Sequence, residues 1–108
     1  MAKNVGVTEL TNSTFSEFTK EGVVLVDFSA EWCMPCVMMG PIFDELSQKF
    51  KGKMKFGKVD IEENQTIAQK FNVSSIPNFI LFKNGEIVDQ YIGSMSEEDF
   101  EKKLKKFI

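Results

Sequence analysis

The sequence of 108 residues predicts an α/β fold built as one domain over residues 1–108. Segments with helical apolar spacing alternate along the chain with short apolar runs rich in β-branched residues. No repeat, low-complexity stretch or linker rich in Pro, Gly or Ser divides these segments. Apolar residues make up 43% of the chain and include 11 Phe. A core of this size forms without disulfide or metal crosslinks.

The first half of the chain predicts a short helix, a central strand and a long helix. Asn12 or Ser13 is expected to cap the short helix, which ends near Gly22. The run Val-Val-Leu-Val-Asp-Phe-Ser over 23–29 is typical of a strand covered on both faces. A helix that begins at the two cysteines follows. Its apolar stripe consists of Met39, Phe43, Leu46 and Phe50.

The second half predicts three strands and two helices. In order, we expect a strand over 54–61, a short helix over 65–71 and strands over 79–83 and 86–92. Asn84-Gly85 indicates a two-residue hairpin between the last two strands. The final helix begins after Ser96, has acidic residues in its first turn and ends in a lysine-rich turn. Its apolar stripe consists of Phe100, Leu104 and Phe107.

Charge and hydropathy exclude several kinds of partner. The formal net charge is −3 and the pI is about 5.0, so neither nucleic acid nor anionic lipid is expected to bind. The longest apolar runs, such as 79–82, are too short to span a bilayer. Residues 1–6 lack the charged region and apolar run of an export signal. We therefore expect a cytoplasmic protein with no membrane contact.

The two cysteines are the strongest chemical signal. Cys33 and Cys36 are three positions apart, and the chain has no histidine. In a reducing cytosol such a pair is more often catalytic or metal-binding than a structural crosslink. A closed zinc site needs four ligands, and two thiols cannot supply them within one chain. We therefore predict redox chemistry with no metal and no resident cofactor.

An ordered set of motifs supports a more specific hypothesis. The run Trp32-Cys33-Met34-Pro35-Cys36 is followed by Ile76-Pro77 before a strand, by the Asn84-Gly85 hairpin and by a final helix. Together these motifs resemble the thioredoxin family over nearly the whole chain. The resemblance implies a central mixed β-sheet with helices on both faces. It also implies a monomer that reduces disulfide-containing proteins and is recharged by a flavin-dependent thioredoxin reductase.

The position of the motif suggests separate roles for its residues. Cys33 is expected at the N-terminus of a helix, where free N–H groups and the helix dipole favour a thiolate. Cys36, one turn further, is expected to be more buried and to resolve the mixed disulfide. Pro35 falls in the first turn, where a missing N–H costs little. Cys33 is thus the predicted nucleophile.

Asp27 and Lys58 are predicted to assist this chemistry. A buried carboxyl inside an apolar strand has a raised pKa and suits a proton acceptor. The resemblance implies that Asp27 helps to deprotonate Cys36 through water, and that Lys58 pairs with Asp27. The alternative is a solvated aspartate at a strand end and an ordinary surface lysine.

The predicted substrate surface surrounds the motif. Pro77 either starts a strand or forms a cis peptide bond. The resemblance implies the cis form, with the Ile76 backbone free to pair with a substrate chain, and Gly93 beside it. Gly93 is otherwise a glycine that ends a strand. Trp32 and Met34 complete an apolar collar with these residues. Met38 and Met39 invite the same interpretation as an adaptable binding surface, but their helical spacing favours core or boundary positions.

Some positions depart from the usual family pattern. Met34 stands where glycine is usual, Val37 replaces a basic residue, Asn78 follows Pro77 in place of threonine, and Ser29 stands where an aromatic is common. These residues leave the redox potential and the range of partners open. The competing hypotheses are a disulfide oxidase or isomerase, a non-catalytic docking module, and a zinc or iron–sulfur site shared across a dimer.

Overall fold

The computed structural model describes residues 6–108 and consists of five strands and four helices. The expectation about an export signal concerns mainly residues 1–5, which lie outside the described range. The strands are β1 Val7–Leu10, β2 Val23–Ser29, β3 Lys55–Asp60, β4 Asn78–Lys83 and β5 Glu86–Ile92. The helices are α1 Phe15–Thr19, α2 Met34–Lys49, α3 Gln65–Lys70 and α4 Glu97–Lys105. None of these helices within residues 6–108 is long and apolar enough to cross a membrane.

The strands form one mixed sheet in the order β1-β3-β2-β4-β5. β3 pairs in parallel with β1 and β2, whereas β4 pairs antiparallel with β2 and β5. β2 is the central strand, and every residue from Val24 to Ser29 is buried. A strand with helices over both faces has no solvent-facing side, which explains its continuous apolar run. The predicted mixed sheet is confirmed.

Two apolar cores lie on opposite faces of the sheet. Successive strand residues point to opposite faces, so neighbours in β2 belong to different cores. α2 and α4 cover the first core, which includes Leu25, Met39, Phe43, Leu46, Phe56, Phe79, Phe100 and Leu104. α1 and α3 cover the second, which includes Leu10, Phe15, Val24, Val26, Phe28, Val59, Ile67 and Phe82. The predicted helices on both faces are thus confirmed.

The first helix differs from the sequence prediction at its cap. Neither Asn12 nor Ser13 is its N-cap; that position is Thr14, which makes no side-chain capping hydrogen bond. Asn12 instead caps α3, because its Oδ1 accepts a hydrogen bond from Ile67 N at 3.1 Å. Its own N–H donates to Asn64 Oδ1 at 3.0 Å. The bond joins residues far apart in sequence, so a local pattern does not reveal it.

β1 was not predicted from the sequence. It is only four residues long, and Leu10 is its one buried residue. It pairs with β3 alone, at the edge of the sheet. Such a short, mostly exposed strand carries almost no hydrophobic pattern. β1 nevertheless matters for the site because it places Glu9 beside Lys58.

The hairpin and the final helix agree with the sequence. Asn84 and Gly85 both have positive φ, at 52° and 87°, as a tight two-residue turn requires. Ser96 is the N-cap of α4, and its side chain accepts from Asp99 N at 3.1 Å. The predicted stripe is buried at Phe100 and Leu104 and half-buried at Phe107.

Candidate active site

Cys33 and Cys36 form a disulfide at the start of α2. β2 ends at Ser29, and a tight turn follows in which Cys33 N donates to Ala30 O at 3.2 Å. Cys33 is the N-cap of α2, and its Sγ accepts from Cys36 N at 3.2 Å. Pro35 lies in the first turn, where its missing N–H has no helical partner to lose. The predicted position of the motif at a helix N-terminus is confirmed.

The burial of the two cysteines corrects one expectation. Cys33 is 6% exposed and Cys36 is 7% exposed, so Cys33 is not the more accessible residue in the disulfide form. Both cysteines belong to one small buried cluster with Ala30, and Ile61 and Ile76 pack against this cluster. The two residues differ in their surroundings instead. Cys33 Sγ lies 4.0 Å from Ile76 O, whereas Cys36 lines a separate cleft.

The loop at Ile76 and Pro77 lies against the disulfide. The Ile76-Pro77 peptide bond is cis, as the resemblance implied. Within residues 6–108 the N–H and C=O of Ile76 make no backbone hydrogen bond. The C=O of Ile76 instead faces Cys33 Sγ.

Gly93 is held beside the same loop. Its N–H donates to Pro77 O at 2.9 Å, and its φ is +96°. A Cβ at Gly93 would have no heavy atom within 4 Å. The backbone conformation therefore requires glycine here, and close packing does not.

Exposed apolar side chains surround the disulfide. Trp32 is 66% exposed, and its Nε1 donates to Glu62 Oε2. The other exposed apolar residues near the start of α2 and the end of β5 are Met34, Val37, Met38 and Ile92. The placement of Met38 at a core or boundary position is wrong, because this side chain is 66% exposed, whereas Met39 is buried as expected.

Glu62, Val37 and Ile92 were not predicted as parts of this surface. A signal for Glu62 does exist in the sequence. Glu62 closely follows β3, which runs parallel to β2. The C-terminal ends of these two strands therefore lie side by side at the same end of the sheet. Trp32 follows β2 at that same end of the sheet. The contact between the two side chains depends on this adjacency of strands.

Asp27 is buried beneath the disulfide end of the sheet. It is 2% exposed, so the alternative of a solvated aspartate is wrong. No residue within 6–108 gives Asp27 Oδ1 a hydrogen bond. Burial raises the pKa of Asp27 from 3.8 to about 7, and Asp44 and Glu9 also raise this pKa, whereas Lys58 lowers it. The carboxyl therefore titrates near neutral pH.

Lys58 lies directly opposite Asp27 on β3. It is half-buried, and within residues 6–108 it has no ion pair as short as 4.0 Å. The expected close pair with Asp27 is therefore not formed, although the two residues interact through their charges. A cleft of about 340 Å³ is lined by both Lys58 and Cys36. This cleft connects the second cysteine to the lysine by a space large enough for water.

The fold and the cysteine pair together define a thiol–disulfide oxidoreductase. A family model described as Thioredoxin matches residues 6–106. Thioredoxin from Bacillus subtilis strain 168 is 39% identical over 104 residues, covering 96% of this chain and 100% of the relative. Thioredoxin from Staphylococcus haemolyticus strain JCSC1435 is 41% identical over the same shares of both chains. The chain belongs to the thioredoxin family and performs dithiol–disulfide exchange of the thioredoxin type.

Proposed function

We propose that this protein is a general reductase of protein disulfides in which Cys33 attacks and Cys36 resolves. The observation that carries the proposal is the position of Cys33 at the N-cap of α2, where its Sγ accepts the Cys36 N–H. The same hydrogen bond and the helix dipole stabilise a Cys33 thiolate in the reduced protein. Cys36 lies inside the first turn and lacks this position at the helix end.

The reaction then has two exchange steps. The Cys33 thiolate attacks one sulfur of a substrate disulfide and releases the other sulfur as a thiolate. Cys36 loses its proton and attacks Cys33 Sγ in the mixed disulfide, which frees the second substrate thiol. The substrate disulfide gains two electrons, and the cysteine pair becomes the disulfide seen here.

Asp27 is the proposed proton acceptor for Cys36. Its pKa of about 7 lets it take up a proton near neutral pH and release it again. The cleft lined by Cys36 and Lys58 provides room for the water molecule that would carry the proton; Asp27 does not line this cleft, so the water would reach it beside Lys58, its register partner. Lys58 is proposed to stabilise the carboxylate form of Asp27 through its charge. Asp27 and Lys58 are thus proposed as catalytic residues with the two cysteines.

The proposed substrate surface is the apolar rim of the site. A substrate chain in extended form would pair with the N–H and C=O of Ile76, which make no backbone hydrogen bond within residues 6–108. Pro77 and Gly93 hold this loop, and the open space at Gly93 leaves room for that chain. Trp32, Met34 and Pro35 would contact the residues around the substrate disulfide, since all three are exposed. Met34 adapts to different partners because its side chain repacks easily.

The proposed source of electrons is a flavin-dependent thioredoxin reductase. We further propose that the chain acts in the cytoplasm as one monomeric domain over residues 1–108. The alternative of an oxidase or isomerase predicts a different redox potential, because the reduction potential of an oxidase lies far above that of the glutathione pool. The alternative of a docking module predicts a function that depends on neither cysteine.

The test is an insulin-reduction assay with NADPH and thioredoxin reductase, followed by redox titration against glutathione. We expect turnover by the unmodified chain and none by Cys33→Ser. We expect a potential below that of the glutathione pool. No turnover with the reductase, combined with a potential well above that pool, would favour the oxidase. A Cys33→Ser variant as active as the unmodified chain would contradict the proposal.

A further inference from the structure

Three charged residues form a row across three neighbouring strands. Glu9 on β1 is the register partner of Lys58 on β3, and Lys58 is the register partner of Asp27 on β2. Partners across parallel strands point to the same face of the sheet and are about 5 Å apart. Lys58 therefore lies between two carboxylates, with one on each side.

Exposure changes steadily along this row. Asp27 is buried, Lys58 is half-buried and Glu9 is exposed. Glu9 and Lys58 line the same cleft, whereas Asp27 lies beneath it and does not. Lys58 has no ion pair within 4.0 Å in the described part of the chain, so its ammonium group is not held by either acid. A flexible lysine side chain between two carboxylates can move its ammonium group toward either of them.

Other charged groups also face this region. Asp44 on α2 acts on Asp27 in the same direction as Glu9, since both disfavour its ionised form. The remaining charged residues that line the cleft are Glu31 and Asp60. Neither of them is among the groups that shift the pKa of Asp27. Glu9 is therefore the exposed acid on the cleft that is coupled to the buried carboxyl.

We propose that Glu9 is a positioning residue, which draws the Lys58 ammonium group toward the open cleft and away from Asp27. The consequence is that Asp27 holds its proton more tightly than Lys58 alone would allow. This inference rests on the proposed function for its effect on catalysis. The electrostatic claim itself concerns only the three residues of the row.

The direct test is a carbon-13 NMR titration of the Asp27 carboxyl in the oxidised protein, where the cysteines do not titrate. Glu9→Gln is expected to lower the pKa of Asp27 by roughly half a unit, because Lys58 moves toward it. Glu9→Asp keeps the charge and is expected to retain most of the original value. Glu31→Gln is the matched control, since it removes the same charge from the same cleft, and its effect should be less than half as large.

A double variant separates action through Lys58 from direct repulsion. In a Lys58→Met background, Glu9→Gln is expected to lose at least half of its effect on the pKa of Asp27. An undiminished effect in that background would overturn the proposal, as would no shift in Glu9→Gln alone. An equal shift in Glu31→Gln would also overturn it.

The exchange rate provides the second readout. The acid limb of its pH profile should move to lower pH in Glu9→Gln, by the same amount as the pKa of Asp27. If NMR shows the shift and the profile does not move, the positioning role of Glu9 stands. The proton-transfer role of Asp27 in the proposed function then fails.

Discussion

Asp27 lies directly opposite Lys58 on the adjacent parallel strand, yet its Oδ1 has no hydrogen-bond partner within residues 6–108. A buried carboxylate oxygen without a hydrogen bond raises the free-energy cost of ionising the group. The protein therefore keeps a destabilising group in the strand that leads to the cysteine turn. This relationship leads to predictions for both stability and catalysis.

The contribution of Asp27 to the stability of the oxidised protein should fall as pH rises from about 4 to about 7. The pKa of Asp27 is 3.8 ordinarily and about 7 in the fold, so the folded state binds this proton more tightly than the unfolded state does. The stability that Asp27 contributes is therefore fully present below the unfolded pKa and is lost as pH rises through the folded pKa. The full difference corresponds to about 4 kcal/mol.

Asp27→Asn tests this contribution by denaturant unfolding at pH 5 and pH 8. The variant cannot ionise at this position, so we expect it to be more stable than the unmodified chain at pH 8. The difference between their free energies of unfolding should be much smaller at pH 5. Equal stability of the two proteins at both pH values would show that burial of Asp27 does not perturb its titration.

The same Asp27→Asn substitution should slow dithiol–disulfide exchange near neutral pH. General acid–base assistance contributes about 100-fold or more where it operates, and bulk water can replace part of it here. We expect a loss of roughly 10-fold at pH 7 that shrinks at high pH, where Cys36 ionises without help. Stopped-flow measurement of the Trp32 fluorescence change would follow the rate. A rate unchanged between pH 6 and pH 9 would contradict the proton-acceptor role.

Gly93→Ala should destabilise the protein through its backbone alone. A left-handed conformation costs a residue with a Cβ about 1–2 kcal/mol. Gly93 has a φ of +96°, and an added Cβ would meet nothing within 4 Å. Gly40→Ala is the matched control, because Gly40 also has open space but lies within α2, where alanine is favourable by up to about 1 kcal/mol. Thermal unfolding that ranks the two variants in the opposite order would refute this explanation.

Asn12→Ala should destabilise α3, although Asn12 lies beside α1 in the sequence. Loss of an N-terminal cap costs about 1 kcal/mol, and Asn12 Oδ1 accepts from Ile67 N at 3.1 Å. Ser13→Ala is the control, since its side chain meets only the exposed Thr11 hydroxyl. Hydrogen exchange should show faster exchange within α3 in Asn12→Ala alone. Similar hydrogen-exchange rates within α3 in both variants would exclude a capping role for Asn12.

Much of the fold could be predicted because its strongest signals are local. The apolar run of β2 and the Asn84-Gly85 turn each encode their structure within a few residues. Asp27 stood out because a carboxyl inside such a run is unusual. The position of Cys33 at a helix start followed from the strand before it and the helical pattern after it.

The missed features depend on contacts between distant segments. β1 is defined by pairing with β3, and the role of Asn12 is defined by α3. Cys33 and Cys36 are similarly buried in a cluster against which Ile61 and Ile76, from other parts of the chain, are packed. Helical spacing alone did not show which side of α2 faces solvent at Met38. The coupling of Glu9 to Asp27 depends on the sheet order, which no local pattern records.

The central claim is that Cys33 attacks and Cys36 resolves, and trapping of mixed disulfides tests it most directly. Cys36→Ser should accumulate mixed disulfides with substrate proteins through Cys33, because the second exchange step is removed. Cys33→Ser, which keeps one cysteine of the same pair, should accumulate few or none under the same conditions. Peptide mass spectrometry of the captured complexes identifies the linked cysteine. Capture mainly by Cys33→Ser, through Cys36, would contradict the assignment.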